Sequence, residues 1–475
     1  MEFKNLTPFQ AMAYTGVDTQ DREYHVVAMT VGYRLLCNDA GQWKAELNED
    51  DPSTLCTADE HYGEPTSSSI ARESDLIPYK PRCDVIVRGA SYAPEGKSSK
   101  QWTARLILLK AKHETIPEPE PPQPLNPMMG LTSGQRETWE RTLAAHRRRV
   151  ELIKSATPQV VIDKTLRISG PSVFERSLLL GYRRSAIAAA TQVPLRWEQA
   201  WGGGCRVEAP EPKRRNAASD DTGQVQPPLL NEVCFSNPVG GGWIDKRWES
   251  AMNKADQPLP KTLLAPQIEH PQDSSLSSPL EFKHPAGEQD ARAMKRIADG
   301  YGRRPAGFGS LCKAWAPRLA LAGTYDEKWL QERHPYLPKD FDFGYWNGAP
   351  ADQQIPFPDL TEGYELLTDN LVLGGGVMRV ALPKHRALVL ADLGGAHLPF
   401  PMQIDTILLD TEAMTLTLVW RTALLKLAEP DTVEARFIVD PNAPWVAYAP
   451  IDAAVGNHME DSAQLPTLVA AGDSA

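Results

Sequence analysis

The residues best suited to chemistry in this sequence are scattered, and each local cluster fails a specific test. GASYAPEGKSSK, residues 89 to 100, puts Gly-Lys-Ser after a strand and so suggests a phosphate-binding loop. Gly89 lies too far from Gly96 for that motif, Pro94 removes a backbone donor, and an alternating strand follows where a helix N-terminus would have to hold phosphate. A hairpin turn is the expectation instead. DEHYGE brings Asp59, His61 and Glu64 close together, but no second histidine sits at helical spacing and H-E-x-x-H is absent, so a polar turn is expected and no metal ligand is assigned. The cysteines Cys37, Cys56, Cys83, Cys205, Cys234 and Cys312 contain no C-x-x-C and read as free, mostly buried thiols. G-x-S-x-G is missing, and Ser310 in GFGSLC lacks its spacing; a triad drawn from distant segments is not visible in spacing at all. RWEQAWGGG and FDFGYWNGAP offer aromatic rings for sugar stacking, although large aromatics at Gly-rich turns more often plug a core. The carboxylate pair that glycoside hydrolysis needs is a property of the fold. No catalytic residue and no cofactor site is assigned.

The elements that must position these residues are mostly strands. EYHVVAMTVGYRL from 23 is half apolar on both faces and suits a buried strand. CDVIVRGASY from 83 and WTARLILLKAKHE from 102 are expected to pair as a hairpin through APEGKSSK. PEPEPPQPLNP, 117 to 127, is an extended proline-rich spacer. TSGQRETWERTLAAHRRRVELIKSA is the one strongly helical stretch: Thr132 or Ser133 can cap it, and Trp139, Leu143, Val150 and Ile153 fall near one face. VVIDKTLRISGPSVFE resumes strand character at 160, so a tethered helix is inserted between two strands of one sheet. Residues 190 to 365 are punctuated by Gly, Pro, Asn and Trp; stretches 206 to 231 and 253 to 290 read as mobile loops, and the triple glycines 202 to 204, 240 to 242 and 374 to 376 as tight turns. LLTDNLVLGG, VMRVALP, RALVLADL, MQIDTILLD, MTLTLVWRTALLKL and EARFIVD, within 366 to 440, are strands. Residues 441 to 475 read as a loose tail.

The chain is 475 residues long with Lys+Arg 50 against Asp+Glu 61, a net charge of −11, which argues against a coat for nucleic acid or an anionic membrane. Disorder throughout is excluded by 41% hydrophobic residues and 12 Trp. Neither a secretory signal nor an apolar run long enough for a membrane span is visible, so a soluble, cytoplasmic protein is expected. Arg147, Arg148 and Arg149 share their helix with Glu137, Glu140 and Glu151 and read as a solvated face, not a nucleic-acid contact. The apolar stripe of Trp139, Leu143 and Val150, with Arg147 beside it, either docks on the protein's own sheet or anchors a partner.

EHYGEPTSSSIARESDLIPYKPRCDVIVRGASYAP, followed in order by DKTLRISG, PLRWEQAWGG, SNPVGGG, PAGFGSLCKAWAPRLALAGTYDEKWLQERHPYLPKDFD and YWNGAPADQQ, resembles the bacterial domain-of-unknown-function family twenty-one sixty-nine over most of residues 1 to 400. The resemblance implies a cytosolic adaptor or chaperone, encoded beside type VI secretion effectors, that helps load an effector onto the VgrG or PAAR tip of the secretion spike. It implies a structural part for the family motifs: Tyr62, Gly63, Glu73, Asp75, Trp197, Trp201, Asn237, Pro238, Gly307, Phe308, Gly309, Tyr325, Asp326, Asn347, Pro350, Asp352 and Gln353. Within them Arg72, Glu73 and Asp75 and the run Asp352, Gln353, Gln354 read as a buried polar network pinning loops to sheets. The spacer and helix at 117 to 155 depart from many relatives and are where partner specificity is expected.

The expected architecture is mainly β, a large sandwich or barrel-like set of antiparallel sheets with a loop-rich middle and one inserted helix. Its parts are 1–116, 117–155, 156–189, 190–365, 366–440 and 441–475. The expected partners are a secreted effector and a VgrG or PAAR spike protein, with no nucleic acid and no membrane. A carbohydrate-active hydrolase and a structural component of the secretion particle are the alternatives.

Overall fold

The structure is a computed structural model that describes residues 1–50, 52–111, 132–154, 158–210, 227–282, 303–426 and 430–440, together with Pro119, Pro122 and Ala443. Strands dominate it. One sheet runs, in spatial order, Ala11–Val17, Glu23–Cys37, Thr415–Leu425, Gln403–Asp410, Cys83–Arg88 and Gln354–Ile355, with Trp43–Leu47 paired to the far half of Glu23–Cys37. Its pairs are antiparallel apart from Gln403–Asp410 beside Cys83–Arg88. A second sheet is Ile268–Glu269, Gln159–Ser169, Gln101–Lys110, Tyr364–Asp369 and Val377–Ala381, antiparallel throughout. A third runs Glu2–Asn5, Thr432–Ile438, Arg386–Leu393 and Ala396–Pro401.

Side chains on alternate positions of these three sheets meet in one core. Val27, Met29, Val31 and Tyr33 from the first sheet, Ala104, Leu106 and Leu108 from the second, and Ala387, Val389 and Ala391 from the third belong to the same buried cluster. The result is a sandwich-like β fold, and none of the described sheets closes into a barrel. Glu23–Cys37 is buried on both faces, because Tyr24, Val26, Ala28 and Thr30 are covered as well. That agrees with a sequence that carries apolar residues on both faces.

The expected hairpin between Cys83–Arg88 and Gln101–Lys110 does not form. The two strands lie in different sheets, and Ala90–Tyr92 between them pairs with Gln192–Pro194. Gly89 makes the corner, with φ +105 and a Cβ position that would lie 2.4 Å from Thr411 Oγ1. Only glycine suits that conformation and that approach. Sequence reading failed here because a short link between strands looks alike whether it closes a hairpin or crosses between layers.

The helix Ser133–Lys154 is inserted between adjacent strands. Lys110 and Gln159, the last and first residues of those strands, face each other across the antiparallel pair. The proline-rich spacer falls outside the described residues except for Pro119 and Pro122, as does the expected tail except for Ala443.

The middle of the chain is better ordered than its punctuation suggested. Gly204–Val207 pairs with Leu230–Val233, and Thr262–Leu264, Ile268–Glu269 and Leu280–Phe282 are short strands inside the stretch read as loop. Residues 211–226 and 283–302 lie outside the described residues. Phe174, Trp201, Cys205, Cys234, Trp243, Trp248 and Met252 form a second, smaller core beneath these strands. Strands this short leave no readable alternation in the sequence.

Candidate functional site

The densest chemistry sits on the outer face of the first sheet. Thr406 and Leu408 of Gln403–Asp410, Thr417 and Val419 of Thr415–Leu425, and Ile86 form the floor of a cleft, and Ala71–Asp75, Lys80 and Ser310 wall it. It encloses about 430 Å³ including its solvent-open mouth. No histidine or cysteine lines it.

Each charged group of the cleft and its surroundings is held by a partner. Lys80 Nζ donates to Asp84 Oδ2 at 2.9 Å and to Thr406 Oγ1 at 2.7 Å. Burial works against this ammonium, but the carboxylates of Asp84, Asp405 and Glu73 outweigh it and hold Lys80 above its ordinary value. Asp84 also accepts from Asn347 Nδ2 at 3.0 Å and the Gly348 amide at 2.9 Å. Arg72 donates to Asp75 at 2.8 Å, and the Cys56 amide reaches the same carboxylate oxygen. Burial pushes the Asp75 carboxyl up despite them. Glu73 is bound by Arg318, which also donates to the carbonyls of Leu311 and Tyr345. Deeper in, Arg421 is bonded to Asp405, to the Tyr14 hydroxyl and to the carbonyls of Asp75 and Ile77. Burial pushes the Tyr14 phenol up to about 12 although Arg421 opposes it.

The second expected polar cluster joins the first along Cys83–Arg88. Lys164 Nζ donates to Asp352 Oδ1 at 2.9 Å and Gln353 Oε1 at 2.7 Å, while Gln353 Nε2 donates to the carbonyls of Val85 and Phe308. Burial pulls the Lys164 ammonium down, with Asp352 working against that. Gln354 bonds the Ala349 carbonyl, and Pro350 opens the turn that carries Asp352. These groups tie the 344–355 and 72–82 segments to Cys83–Arg88, Gln403–Asp410 and Thr415–Leu425, and their charges are balanced locally. Such an arrangement fixes loops.

Most other family-motif residues are packing parts. Trp197 and Trp201 are buried, Asn237 Nδ2 bridges their two carbonyls at 2.8 and 3.0 Å, and Pro238 follows half-buried. Gly307 lies so close to the Trp197 ring that a Cβ there would sit 2.9 Å from it, and Gly309 packs at the same indole beside buried Phe308. Tyr62 is stacked under Arg196 at 4.2 Å, and the Gly63 amide donates to Ser68 Oγ. Asp326 caps Glu327–Glu332 by accepting from the Trp329 amide. Tyr325 departs from this pattern: it is 54% exposed and meets the Trp329 ring edge-on. In DEHYGE, Asp59 is taken by Lys313 at 2.7 Å; burial pushes its carboxyl up, and the bonds from Lys313 and the Ser74 amide overcome that and hold it low. Among the described residues no group of three or more His, Cys, Asp or Glu is placed to hold a metal ion.

The inserted helix is the other candidate. Gln135 N donates to Thr132 Oγ1 and Thr132 N to Gln135 Oε1, a reciprocal cap that starts the helix at Ser133. Trp139 and Leu143 are half-buried on one side with Gln135 and His146, while Arg147 and Arg148 are exposed. The side chains of Val150 and Ile153 lie outside the described residues. No described strand packs substantially against this helix. No helix among the described residues is long and apolar enough to cross a membrane.

No curated protein and no solved structure matches the chain at a significant level. A family model does, that of the DUF2169 family, described as an uncharacterized protein conserved in bacteria, over residues 20–116 and 144–421. The interruption removes 117–143, which carries the spacer, Trp139 and Leu143, while the polar cleft, the small core and most of the large core fall inside the match; Phe9, Leu424 and Val433 of the large core lie outside it. The matched part holds most of the sandwich and its pinned loops, and the chain belongs to the DUF2169 family.

Proposed function

We propose that this chain is a cytosolic adaptor or chaperone that binds a type VI secretion effector and helps load it onto a VgrG or PAAR spike protein. The observation that carries the reading is the helix Ser133–Lys154, hung between the facing residues Lys110 and Gln159 and only partly covered on its Trp139 and Leu143 side. An amphipathic helix held out from a rigid sheet is a common way to engage a groove on another protein. The family match skips 117–143, which suits a partner that differs between relatives. The cleft supports the same reading, since its charged groups are tied to one another. Of the aromatic rings that the hydrolase alternative would use, Trp197 and Trp201 are buried, whereas Tyr345 and Trp346 are half-buried.

The test is co-purification of the tagged chain from its native cytosol, followed by affinity measurement with the purified partner. Recovery of an effector or spike protein, bound more weakly by the Trp139→Ala, Leu143→Ala, Val150→Ala triple variant at unchanged melting temperature, is the expected result. Undiminished affinity in that variant would remove the helix from the interface.

A further inference from the structure

The outer face of the second sheet carries its apolar residues at one end. Val160 lies opposite Leu109, and Ile107 opposite Leu367. Leu106, Leu108 and Leu366, the alternate positions on the same strands, are buried in the large core, so Ile107, Leu109 and Leu367 look away from it. Val160 is 56% exposed, and Ile107, Leu109 and Leu367 are half-buried. Around this patch the face is polar, with Arg105 paired to Asp163 and Arg379 to Glu365. The patch sits beside Lys110 and Gln159, the two residues from which the helix Ser133–Lys154 is hung.

The covalent link decides what can reach this patch. Lys154 ends the helix five residues before Gln159, and an extended chain of that length spans at most about 18 Å. The C-terminal end of the helix therefore stays near this end of the sheet. Its 22 residues make a rod of about 33 Å, and the 11 residues of Gln159–Ser169 extend over about 36 Å, so the two match when laid antiparallel. Leu143 then lies roughly 16 Å back along the helix from Lys154, and the Ile107–Leu367 pair, beside Asp163, roughly 13 Å along the strand from Gln159. Trp139 falls over Arg105 by the same measure. The half-buried positions Gln135, Trp139, Leu143 and His146 recur at helical spacing, so the helix has one face to offer. Most of a helix's stability in a protein comes from packing such a face, and a short tether raises the effective concentration of the contact to the order of millimolar. No described strand packs substantially against the helix in the structure.

We propose that the helix Ser133–Lys154 docks in cis on the outer face of the second sheet, with Leu143 over Ile107 and Leu367, and that a partner must draw it from this closed form. The competition with a partner rests on the reading that the helix is a partner-binding element; the cis contact does not.

The test combines Leu143→Cys with Leu367→Cys in the full chain, purified without any partner and carrying Cys37→Ser, since Cys37 is exposed. Mild oxidation should close an intrachain disulfide at least about tenfold faster than in Arg141→Cys with Leu367→Cys, because Arg141 lies roughly 160° around the helix from Leu143. Without crosslinking, amide exchange in the helix should quicken about tenfold in Leu143→Ser and in Leu367→Ser alike, since each removes the same contact from one side. Equal oxidation rates in the two pairs, a disulfide that forms only between two copies, or helix exchange unmoved by Leu367→Ser would each overturn the closed form. A partner that takes the helix from the sheet should bind the Leu367→Ser chain more tightly than the wild type. Equal affinity would overturn the competition, whereas fast oxidation with no partner recovered would uphold the closed form and count against the partner reading alone.

Discussion

Arg421 and Asp405 face each other under the polar cleft with side chains only 4% and 3% exposed. A buried guanidinium keeps its charge only if its bonds replace water, and here Asp405, Tyr14 and two carbonyls do so. Asp405→Ala is expected to lower the unfolding free energy by about 3–5 kcal/mol, because it strands that charge. Adding Arg421→Leu to Asp405→Ala should cost less than Arg421→Leu does in the wild type, which a urea-denaturation double-mutant cycle reads directly. His385 supplies a pH dependence. Burial lowers its pKa below the ordinary 6.5, and its Nδ1 lies 3.0 Å from the Tyr33 hydroxyl. The unfolded chain then takes up a proton that the folded chain resists, so this contribution is present above about 6.5 and is lost as the pH falls through the window below it. The urea midpoint should drop on acidification from pH 7 more steeply in the wild type than in His385→Gln. The residue types alone suggest a buried polar network of Arg72, Glu73, Asp75, Asp352 and Gln353; in the structure Asp75 and Gln353 are buried, Arg72 and Glu73 are half-buried, and Asp352 is 59% exposed at the rim, where it meets Lys164. Their actual partners were not readable: Arg318 reaches Glu73 across 245 residues, and nothing local announces it.

The long strands of the C-terminal half were readable because their alternation extends over many residues; Arg386–Leu393 and Thr415–Leu425 lie where the pattern put them. Which strands pair was not readable, as Cys83–Arg88 and Gln101–Lys110 show by joining different sheets. The corner between those two strands is testable. Gly89→Ala meets both a positive φ and a contact with Thr411, and is expected to destabilise by about 2–4 kcal/mol, measured by thermal or urea unfolding. The inserted helix makes the opposite prediction. Since Lys110 and Gln159 already face each other, replacing residues 112–157 with a short Asn-Gly turn closes the strands with less loop than the native chain uses. The shortened protein should keep its β circular-dichroism spectrum and melt within a few degrees of the wild type. A collapse of the melting transition would show that the helix is part of the core.

Two cores share one chain, and the seam between them decides how the molecule comes apart. Ala200 belongs to the large cluster and the next residue, Trp201, to the small one. Asn237 clamps this seam through the carbonyls of Trp197 and Trp201. On the large side, Glu23–Cys37 and Gln101–Lys110 are long strands with neighbours on both edges, whereas on the small side Gly204–Val207, Gly241–Asp245 and Leu280–Phe282 are short and rest on fewer buried side chains. Opening free energy follows buried contact and ladder length, so the small core should exchange amide hydrogens through openings that leave the large sheets closed. Phe174→Ala removes a fully buried ring from the small core and is expected to cost about 3–5 kcal/mol there. Hydrogen exchange should then lose protection across Gly204–Val207 and Gly241–Asp245 while Gln101–Lys110 and Thr415–Leu425 keep theirs. Leu106→Ala, in the large core, should lower protection in both, because the small core has no support once the sheet beneath the seam opens. Equal loss in both regions from Phe174→Ala would mean that the seam transmits everything and the chain unfolds as a single unit.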